Sequence, residues 1–308
     1  MKKLVILGID HGHCQAIINA SAERNDVELV AIAQETAPFA NEMAANLGVK
    51  EYRDYRECLT IEAPDIVGVA MYNGARAKWI TESLSRNIAV ISDKPICTTK
   101  EGLADIRAAQ AATDTPLCMM LTERCNASFV AIRKAVQDGR IGKVVGVEAT
   151  RYYALNPANR PWWMFKTKAY GGPAVDILIH DYDLARWITG REWNSPTISQ
   201  YRITKDYNID DGATLVSDED GVAIRLGMYW QSPCGHHSRF TVYGTKGYVE
   251  LNTAFGNSPI LIDDKGNRTD LPCSDVSSFA SLFFAGLAGE ECFPITAVES
   301  MEVMANLL

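Results

Sequence analysis

The chain has 308 residues, of which 47% are hydrophobic, and its formal net charge is −8. This length supplies cores for two domains of ordinary size and argues against a single small module. The acidic balance and the lack of any Lys/Arg run argue against nucleic acid as a partner, because clustered basic side chains bind phosphate backbones.

Short apolar runs rich in Val and Ile alternate with helix-length stretches over the first 121 residues. The runs are KLVILG, VELVAIA, DIVGVAM, IAVIS and PLCMML. Continuous apolar strands between helices are typical of a parallel sheet covered on both faces. Gly48 stands where a helix should end, and Asp54 stands where the next should begin. We predict a doubly wound α/β domain over residues 1–121.

The pattern changes after residue 121. A helix, ASFVAIRKAVQDG, precedes longer strands, which are KVVGVEATRYY, TISQYRI, GVAIRLGMYW, RFTVYG and GYVELN. The segments SDEDG and GTKG are turn-forming links, as between antiparallel neighbours. Thr296 and Glu299 have the spacing of a capping box that begins a helix. We predict a second, α+β domain over residues 122–308 with an open, mainly antiparallel sheet.

Cysteine usage and hydropathy restrict the class of protein further. The eight cysteines form no CxxC pair, which indicates reduced, packed thiols. Only Cys234 with His236 and His237 approaches the spacing of zinc ligands, and adjacent residues rarely face one centre, so we predict no metal site. No stretch approaches the roughly 20 apolar residues that cross a bilayer, and the N-terminus lacks a signal-peptide core. We expect a cytoplasmic protein.

The segment GIDHGH after the first strand is a candidate dinucleotide-binding loop. Such loops need glycines so that pyrophosphate can approach the N-terminus of the following helix. Gly8 fits, but Asp10 and His13 occupy the other glycine positions, and the Asp10 carboxylate would repel phosphate unless it caps the helix. His11 and His13 can donate hydrogen bonds to phosphate, and Gly12 permits close approach. A βα turn without ligand is the alternative.

Two polar residues, Gln34 and Glu35, end the second strand, where an acid usually binds the adenosine ribose. The Glu35 carboxylate can take the ribose diol. No Arg or Lys adjoins it to bind a 2′-phosphate, so the sequence favours NAD without excluding NADP. Simple solvation of both side chains is the alternative.

The segment at 171–190, GGPAVDILIHDYDLARWITG, is helical by length and apolar on most faces. At about 100° per residue, one narrow arc carries a polar stripe. Its members are Asp176, His180, Asp183 and Trp187. Buried acids and histidines are costly unless they are paired or used, so we predict a site here. The alternative is a salt-bridged staple in which the acids only hold His180.

Lys94 in IAVISDKPICTT stands at the carboxyl end of an apolar strand, where doubly wound folds bind ligands. A lysine there can stabilise a developing alkoxide and lower the pKa of a bound hydroxyl. Pro95 fixes the turn, and its peptide bond is a candidate for the cis form. By itself Lys94 is equally compatible with an exposed turn.

Seven segments, in order, resemble the Gfo/Idh/MocA family of nicotinamide-dependent oxidoreductases over almost the whole chain. They are VILGIDHGH, DIVGVAMYNGAR, SDKPICTT, LTERCN, GRIGKV, GGPAVDILIHDYD and VYGTKGYVE. The Lys-Pro turn and the Asp-x-x-x-His-x-x-Asp helix are the most specific. The resemblance implies a Rossmann domain, an open antiparallel sheet in the second domain, and homodimers or homotetramers assembled through that sheet.

The resemblance also implies residue roles. Lys94, Asp176 and His180 match the catalytic lysine, aspartate and histidine of the family. Asn73 matches an asparagine near the nicotinamide, and Arg124 matches an arginine that opens the second domain. The implied cofactor-binding set is Gly8, Asp10, His11, Gly12, His13, Gln34, Glu35, Met71, Tyr72, Asn73 and Lys94. The chain departs from the family pattern at Asp93 (Glu is usual), Arg76 (His is usual), Asp10 and His13.

Family substrates include inositols, sugars and other hydroxy compounds, and several residues are candidates to bind one. Trp162 and Trp163 can stack on a sugar ring, or fill a domain or subunit interface. Tyr153 and His237 are further candidates. The complete predicted substrate set is Arg124, Tyr153, Trp162, Trp163, Asp176, His180 and His237.

The predicted reaction is reversible hydride transfer between NAD(P) and a secondary alcohol of a sugar, inositol or related polyol. His180 takes the hydroxyl proton, Lys94 stabilises the alkoxide, and Asp176 orients the histidine and the substrate. Two alternatives stay open. One is a non-catalytic metabolite sensor, which the altered loop favours and the retained lysine and histidine disfavour. The other is a non-redox enzyme that retains NAD and uses transient oxidation to assist elimination or glycoside cleavage.

Overall fold

The computed structural model describes residues 1–308, apart from the side chain of Asn159. A first sheet contains six strands, namely β1 (Lys2–Leu7), β2 (Val27–Ala33), β3 (Lys50–Tyr52), β4 (Ile66–Val69), β5 (Ala89–Asp93) and β6 (Leu117–Met120). The helices between them are α1 (His13–Ala22), α2 (Asn41–Leu47), α3 (Tyr55–Glu62), α4 (Arg76–Ser85) and α5 (Lys100–Thr113). All six strands are parallel, in the order β3-β2-β1-β4-β5-β6. This confirms the predicted doubly wound sheet.

Local sequence signals explain how this sheet is built. Every residue of β4 and β5 is buried, as continuous apolar strands between two helical layers require. Gly48 ends α2 in the left-handed conformation, and the Asp54 side chain accepts the backbone N–H of Glu57 to cap α3. Both turn predictions are confirmed. At the end of β1, Gly8 has a φ of 87°, and a Cβ there would lie 2.3 Å from the Met71 nitrogen, so only glycine fits.

A second sheet contains eight strands. They are β7 (Val144–Tyr152), β8 (Thr197–Tyr201), β9 (Gly212–Glu219), β10 (Val222–Tyr229), β11 (His237–Gly244), β12 (Gly247–Asn252), β13 (Ile260–Asp263) and β14 (Arg268–Asp270). Their order is β14-β13-β12-β11-β7-β10-β9-β8, and the neighbours are antiparallel except β7 and β10. The open, mainly antiparallel sheet is confirmed. The sequence analysis did not predict β9, β13 or β14, whose segments lack a long apolar run.

Helices α6 (Ala127–Gln137) and α8 (Ile179–Thr189) pack on the second sheet, and a π-helical turn, Ala174–Leu178, leads directly into α8. The short helix α7 (Thr167–Tyr170) contacts the turn Asn73–Ala75 of the first domain. Phe129 on α6 packs edge-to-face against Phe240 on β11, with ring centroids 5.4 Å apart. The carboxyl end of β5 in the first sheet meets the π-turn, where Lys94 contacts Asp176.

The last two helices, α9 (Phe279–Ala288) and α10 (Ala297–Ala305), return to the first sheet. The Ser300 hydroxyl accepts the Met119 N–H at 3.2 Å, which attaches α10 to β6. The predicted capping box of Thr296 and Glu299 is present. Because these helices pack on the first sheet, the second unit is not a separate body over all of 122–308. The boundary near residue 121 stays a prediction.

None of the helices in the part of the chain that the structure describes is both long and apolar enough to cross a membrane.

Candidate active site

Lys94 lies at the carboxyl end of β5 and is 4% exposed, which removes the alternative of an exposed turn lysine. Its ammonium donates to Asp176 Oδ1 at 2.7 Å and to the Asp176 carbonyl oxygen at 2.5 Å. The peptide bond between Lys94 and Pro95 is cis. A strand end of the first domain is therefore paired with the π-turn of the second.

Arg76, noted in the sequence only as a departure, is fully buried and holds the lysine turn in place. Its guanidinium donates to Asp93 Oδ2 at 2.6 Å and to the Met71 carbonyl oxygen at 2.8 Å. It also donates to the carbonyl oxygens of Lys94 and Pro95. The arginine thus ties the ends of β4 and β5 together and fixes the backbone that carries Lys94.

A π-turn lies within the segment on which the polar stripe was predicted, and it contains Asp176 but not the other three stripe residues. A π-turn is wider than an α-helical turn, so side chains before and after it do not keep the α-helical spacing. Asp176 faces Lys94, whereas Asp183 forms a bidentate pair with Arg124 at 2.7 and 2.9 Å. Trp187 lies under the Arg133 guanidinium, 4.3 Å from its carbon. The acids do not staple His180 from both sides.

Arg124, a predicted substrate-binding residue, is bonded to several groups within the protein, and its role in substrate binding stays a prediction. Besides Asp183, its guanidinium donates to Glu299 at 3.2 Å and to the Pro294 carbonyl oxygen at 3.1 Å. These partners satisfy the buried arginine from α8 and from the start of α10. Its role in this structure is to join the C-terminal helices to α8.

His180 is 9% exposed and lies beside the lysine–aspartate pair. Burial, together with the positive charges of Lys94 and Arg151, holds the pKa of His180 well below its usual range, so the imidazole is neutral. Its Nδ1 is buried, with no hydrogen-bond partner among the described side chains. Asp176 orients Lys94 and makes no hydrogen bond to His180 within that set, which corrects its predicted role as the orienter of the histidine.

A chain of contacts that the sequence did not reveal leads outward from Asp176. Burial and the adjacent Asp176 carboxylate raise the pKa of Tyr170 well above its usual range. The Tyr170 hydroxyl accepts the Trp230 indole N–H at 2.8 Å. The Arg160 guanidinium lies over the Trp230 ring, 4.6 Å from its centroid. Because Arg160, Tyr170 and Trp230 come from separate segments, no local pattern could have grouped them.

A cavity of about 370 Å³ opens above β7 and holds the predicted residue Tyr153. Arg151, buried at its wall, donates to Asp181 at 2.9 Å, to Glu123 at 2.9 Å and to the Tyr153 hydroxyl at 3.3 Å. Burial outweighs the arginine and raises the pKa of Asp181 to about 6. Asp181 follows His180 directly, so a buried acid beside the catalytic candidate was a signal that the sequence analysis missed.

The remaining aromatic candidates lie in different surroundings. Trp162 is 46% exposed, with its ring 5.5 Å from that of Tyr72, whereas Trp163 is buried 6.5 Å from the Tyr170 ring. His237 borders the cavity, but its ring stacks on Tyr152 at 4.7 Å. Alternation along β7 puts Tyr152 on the sheet face opposite Arg151. Substrate binding by His237 stays a prediction.

Asp10 in the first loop neither caps α1 nor points into the solvent. Its Oδ2 accepts the Tyr72 N–H at 2.9 Å, and its Oδ1 accepts the Gln34 side-chain N–H at 3.0 Å. Gln34 in turn accepts the Ile9 N–H at 2.8 Å. Helix α1 begins after Gly12 without a side-chain cap, so Asp10 does not adopt the capping orientation that the sequence left open. The carboxylate binds the loop to the ends of β2 and β4.

The space above α1 suits a pyrophosphate. A Cβ at Gly12 would meet nothing within 4 Å, so the backbone there is open to close approach. This point lies beside β1 and β4, where the strand order reverses, the usual ligand position in doubly wound folds. Because both Asp10 oxygens are engaged and burial raises the pKa of Asp10, its charge is a weak obstacle. These residues fit a dinucleotide.

Other predicted cofactor residues are already bonded within the protein. Glu35 accepts the Tyr55 N–H at the start of α3 at 3.1 Å, which leaves its second oxygen for a ribose. The Asn73 side chain donates to the Tyr170 carbonyl oxygen at 2.9 Å, and Met71 is fully buried. His11 and His13 lie against the Asp93 carboxylate.

A doubly wound sheet with an open glycine at its switch point, and a buried lysine, aspartate and neutral histidine beside it, defines a dinucleotide-binding oxidoreductase. Residues 2–121 match the model of the oxidoreductase family with an NAD-binding Rossmann fold. Residues 129–250 match the GFO/IDH/MocA C-terminal domain. The chain belongs to the Gfo/Idh/MocA family of oxidoreductases, and its cofactor is NAD.

Characterised relatives and solved structures agree with this assignment. Myo-inositol 2-dehydrogenase of Thermotoga maritima is 24% identical over 250 residues, which cover 79% of this chain and 73% of that protein. A dTDP-3,4-didehydro-2,6-dideoxy-alpha-D-glucose 3-reductase of Saccharopolyspora spinosa is 24% identical, covering 98% and 93%. An Agrobacterium radiobacter oxidoreductase, solved with NAD+, L-tartaric acid and magnesium, has a TM-score of 0.85 at 15% identity, covering 99% and 94%. At that identity the structure supports the fold alone.

Proposed function

We propose that this protein catalyses reversible hydride transfer between NAD and a secondary alcohol of a sugar, inositol or related polyol. The observation that carries the proposal is the buried pair of Lys94 and Asp176 next to His180. The His180 ring is neutral, and its Nδ1 has no hydrogen-bond partner among the described residues. A neutral imidazole with a free nitrogen can accept a proton, and a buried ammonium beside it can stabilise an oxyanion.

Each protein group has one task in this mechanism. His180 removes the hydroxyl proton of the substrate, Lys94 stabilises the resulting alkoxide, and Asp176 positions the lysine. Bound NAD supplies the hydride acceptor in the oxidative direction and the donor in the other. The buried setting strengthens these charge interactions because water is excluded.

The cofactor is held in this proposal at the first loop and the end of β2. The backbone at Gly12 and the N-terminus of α1 would hold the pyrophosphate. The second carboxylate oxygen of Glu35 would accept a hydrogen bond from the adenosine ribose. NADP binding is expected to be weaker, because no basic side chain adjoins Glu35 in the sequence.

The substrate class is inferred from the cavity and from the relatives. Tyr153 lines the cavity, and its ring lies 5.5 Å from that of Trp230, under the Arg160 guanidinium. Trp230 is linked to Asp176 through Tyr170, and these aromatic side chains suit a hydroxylated ring. The relatives include inositol dehydrogenases and a dTDP-sugar reductase, and a Caulobacter crescentus aldose-aldose oxidoreductase of similar fold was solved with glycerol. Cytoplasmic location and assembly through the second sheet stay predictions.

The experiment measures NADH formation when the purified protein and NAD meet a panel of inositols, aldoses and sugar acids. We expect turnover with at least one member, and a loss of about 10²–10⁴-fold in Lys94→Ala. Lys100→Ala, at the exposed start of α5, is the matched control and should keep full turnover. Lys94→Gln, checked by thermal unfolding, guards against misfolding around the unpaired Asp176.

Fluorescence titration with NADH and NADPH separates the alternatives. Absence of binding by both would favour the metabolite sensor over the enzyme. Cofactor binding and product formation without net NADH would favour the non-redox enzyme. Unchanged turnover in the folded Lys94→Ala protein would reject the assigned role of Lys94.

A further inference from the structure

Three side chains from two distant segments converge at the carboxyl ends of β1 and β5. His11 and His13 follow β1, and Asp93 ends β5. His13 Nδ1 lies 2.6 Å from Asp93 Oδ1, and His11 Nδ1 lies 3.1 Å from Asp93 Oδ2. The two imidazole rings meet edge-to-face, with centroids 4.5 Å apart. One potential ligand atom from each residue lies within 4.8 Å of the other two.

We propose that His11, His13 and Asp93 form a binding site for one divalent transition-metal ion of the zinc, cobalt or nickel type. Two imidazole nitrogens and a carboxylate oxygen are ligands that these ions prefer. Zinc–nitrogen and zinc–oxygen bonds of about 2.0–2.2 Å hold neighbouring ligand atoms about 3–3.5 Å apart. Ligand atoms of the three side chains already lie within 4.8 Å of one another, so an ion would need only a small widening of the 2.6 Å contact between His13 Nδ1 and Asp93 Oδ1.

Burial in this cluster is arranged as an ion site requires. The Asp93 side chain is completely buried, whereas the side chains of His11 and His13 are 32% and 23% exposed. The carboxylate is thus fixed at the floor, and the histidines form an opening through which an ion can enter. Water or another ligand can complete the coordination from that side.

Neighbouring positive charges limit the affinity of this site for a cation, and its ligand types decide which ions it prefers. Arg76 donates to Asp93 Oδ2, and Lys94 follows Asp93 in the chain, so two positive groups oppose a cation. Asp10 and Asp176 lie close enough to Arg76 to offset part of this charge. Arg76 binds Oδ2 and orients the carboxylate, as outer hydrogen bonds do around metal ligands, so that Oδ1 faces His13. Magnesium, which prefers an oxygen-only shell, is not expected to bind here.

The test titrates the complete apo-protein with ZnCl2 and with CoCl2, in the absence of NAD and substrate, and counts bound ions by elemental analysis. We expect one ion per chain. The His11→Ala/His13→Ala variant should bind it at least about 100-fold more weakly, because two of three protein ligands are lost. The visible absorption of bound Co2+ should change in His13→Gln, which keeps the side-chain size.

The chain provides a matched control at its other histidine pair. His236→Ala/His237→Ala removes two imidazoles beside the exposed Cys234, and it should leave zinc affinity within about 2-fold. Circular dichroism of each variant establishes that it is folded. Zinc binding that survives in His11→Ala/His13→Ala or disappears in His236→Ala/His237→Ala overturns the proposal, as does a wild-type protein that binds no ion. None of these results bears on hydride transfer, so the two proposals fail separately.

Discussion

The opening loop and the π-turn before α8 both present polar side chains to one cleft, but they use them differently. In the loop, both Asp10 oxygens and both polar atoms of the Gln34 amide are bonded within the protein. At the turn, Asp176 holds Lys94 while the adjacent His180 keeps a buried nitrogen without a described partner. Because an unpartnered buried polar atom is costly, its retention indicates a ligand-dependent role. Asp10 and Gln34, whose polar atoms are bonded within the protein, instead fix the shape of the loop.

Replacement of His180 is the strongest way to break this comparison. His180→Asn should lower kcat about 10²–10⁴-fold, because asparagine cannot accept the substrate proton at neutral pH. Steady-state NADH formation with the best polyol is the measurement, and Lys100→Ala, at the exposed start of α5, is the control. Because the wild-type pKa is held below its usual range, activity should fall only as the pH drops well below 6.5. A wild-type acid limb centred above 6.5 would contradict the neutral-base assignment.

Replacement of Arg76, which holds the backbone of Lys94, tests the structural role of side chains whose polar atoms are all bonded within the protein. Arg76→Met should lower the free energy of unfolding by about 3–5 kcal/mol, because it leaves the Asp93 carboxylate buried without its guanidinium. Urea unfolding measures this change. Arg56→Met, which removes an exposed pair with Glu82, should cost less than about 1 kcal/mol. Equal effects in the two variants would show that the buried pair has no special structural weight.

The cavity wall predicts a pH dependence at Asp181. Its folded pKa of about 6 lies above that of the unfolded chain, so the protonated carboxyl favours folding and this contribution is lost as pH rises through 6. Between pH 5 and 7 the wild type should lose about 1 kcal/mol of stability relative to Asp181→Asn. Denaturant unfolding of both proteins at the two pH values measures the difference. An unchanged difference would mean that Arg151 keeps the carboxyl ionised.

The smallest effect on stability is expected at Gly12. Its φ of −60° suits alanine and the space around it is open, so Gly12→Ala should stabilise the fold by about 0.4–1 kcal/mol. The same methyl should weaken NADH binding several-fold, because it occupies the approach to α1. Fluorescence titration and thermal unfolding give the two readouts. Undiminished NADH affinity would place the pyrophosphate elsewhere.

Much of the fold was accessible to sequence reasoning because its signals are local. The apolar alternation predicted the parallel sheet. The predicted turn segments SDEDG and GTKG lie at the hairpins that pair β9 with β10 and β11 with β12, although β9 itself was not predicted. Strands β13 and β14 were missed, because their short segments are interrupted by Asp, Lys, Gly and Asn. Patterns within about ten residues specify turns and helix ends, but not weak edge strands.

The sequence predicted which residues form the candidate site better than it predicted which of them pair with each other. Lys94, Asp176 and His180 do converge, but the sequence could not assign Asp176 to Lys94, because the π-turn changes the side-chain spacing that an α-helix would give. The same limit applies to Arg151 and Asp181, which are thirty residues apart and meet only across β7 and α8.

By itself, the sequence determined the alternation of strands and helices over residues 1–121, the turn glycines, the capping box and the Lys-Pro turn, since each depends on the conformational preferences of neighbouring residues. The tertiary structure alone decided which charges pair, how Asp10 turns inward, and that His11 and His13 meet Asp93 eighty residues away. Those choices depend on the docking of distant segments, where burial makes each unpaired charge costly and selects the partner that can neutralise it.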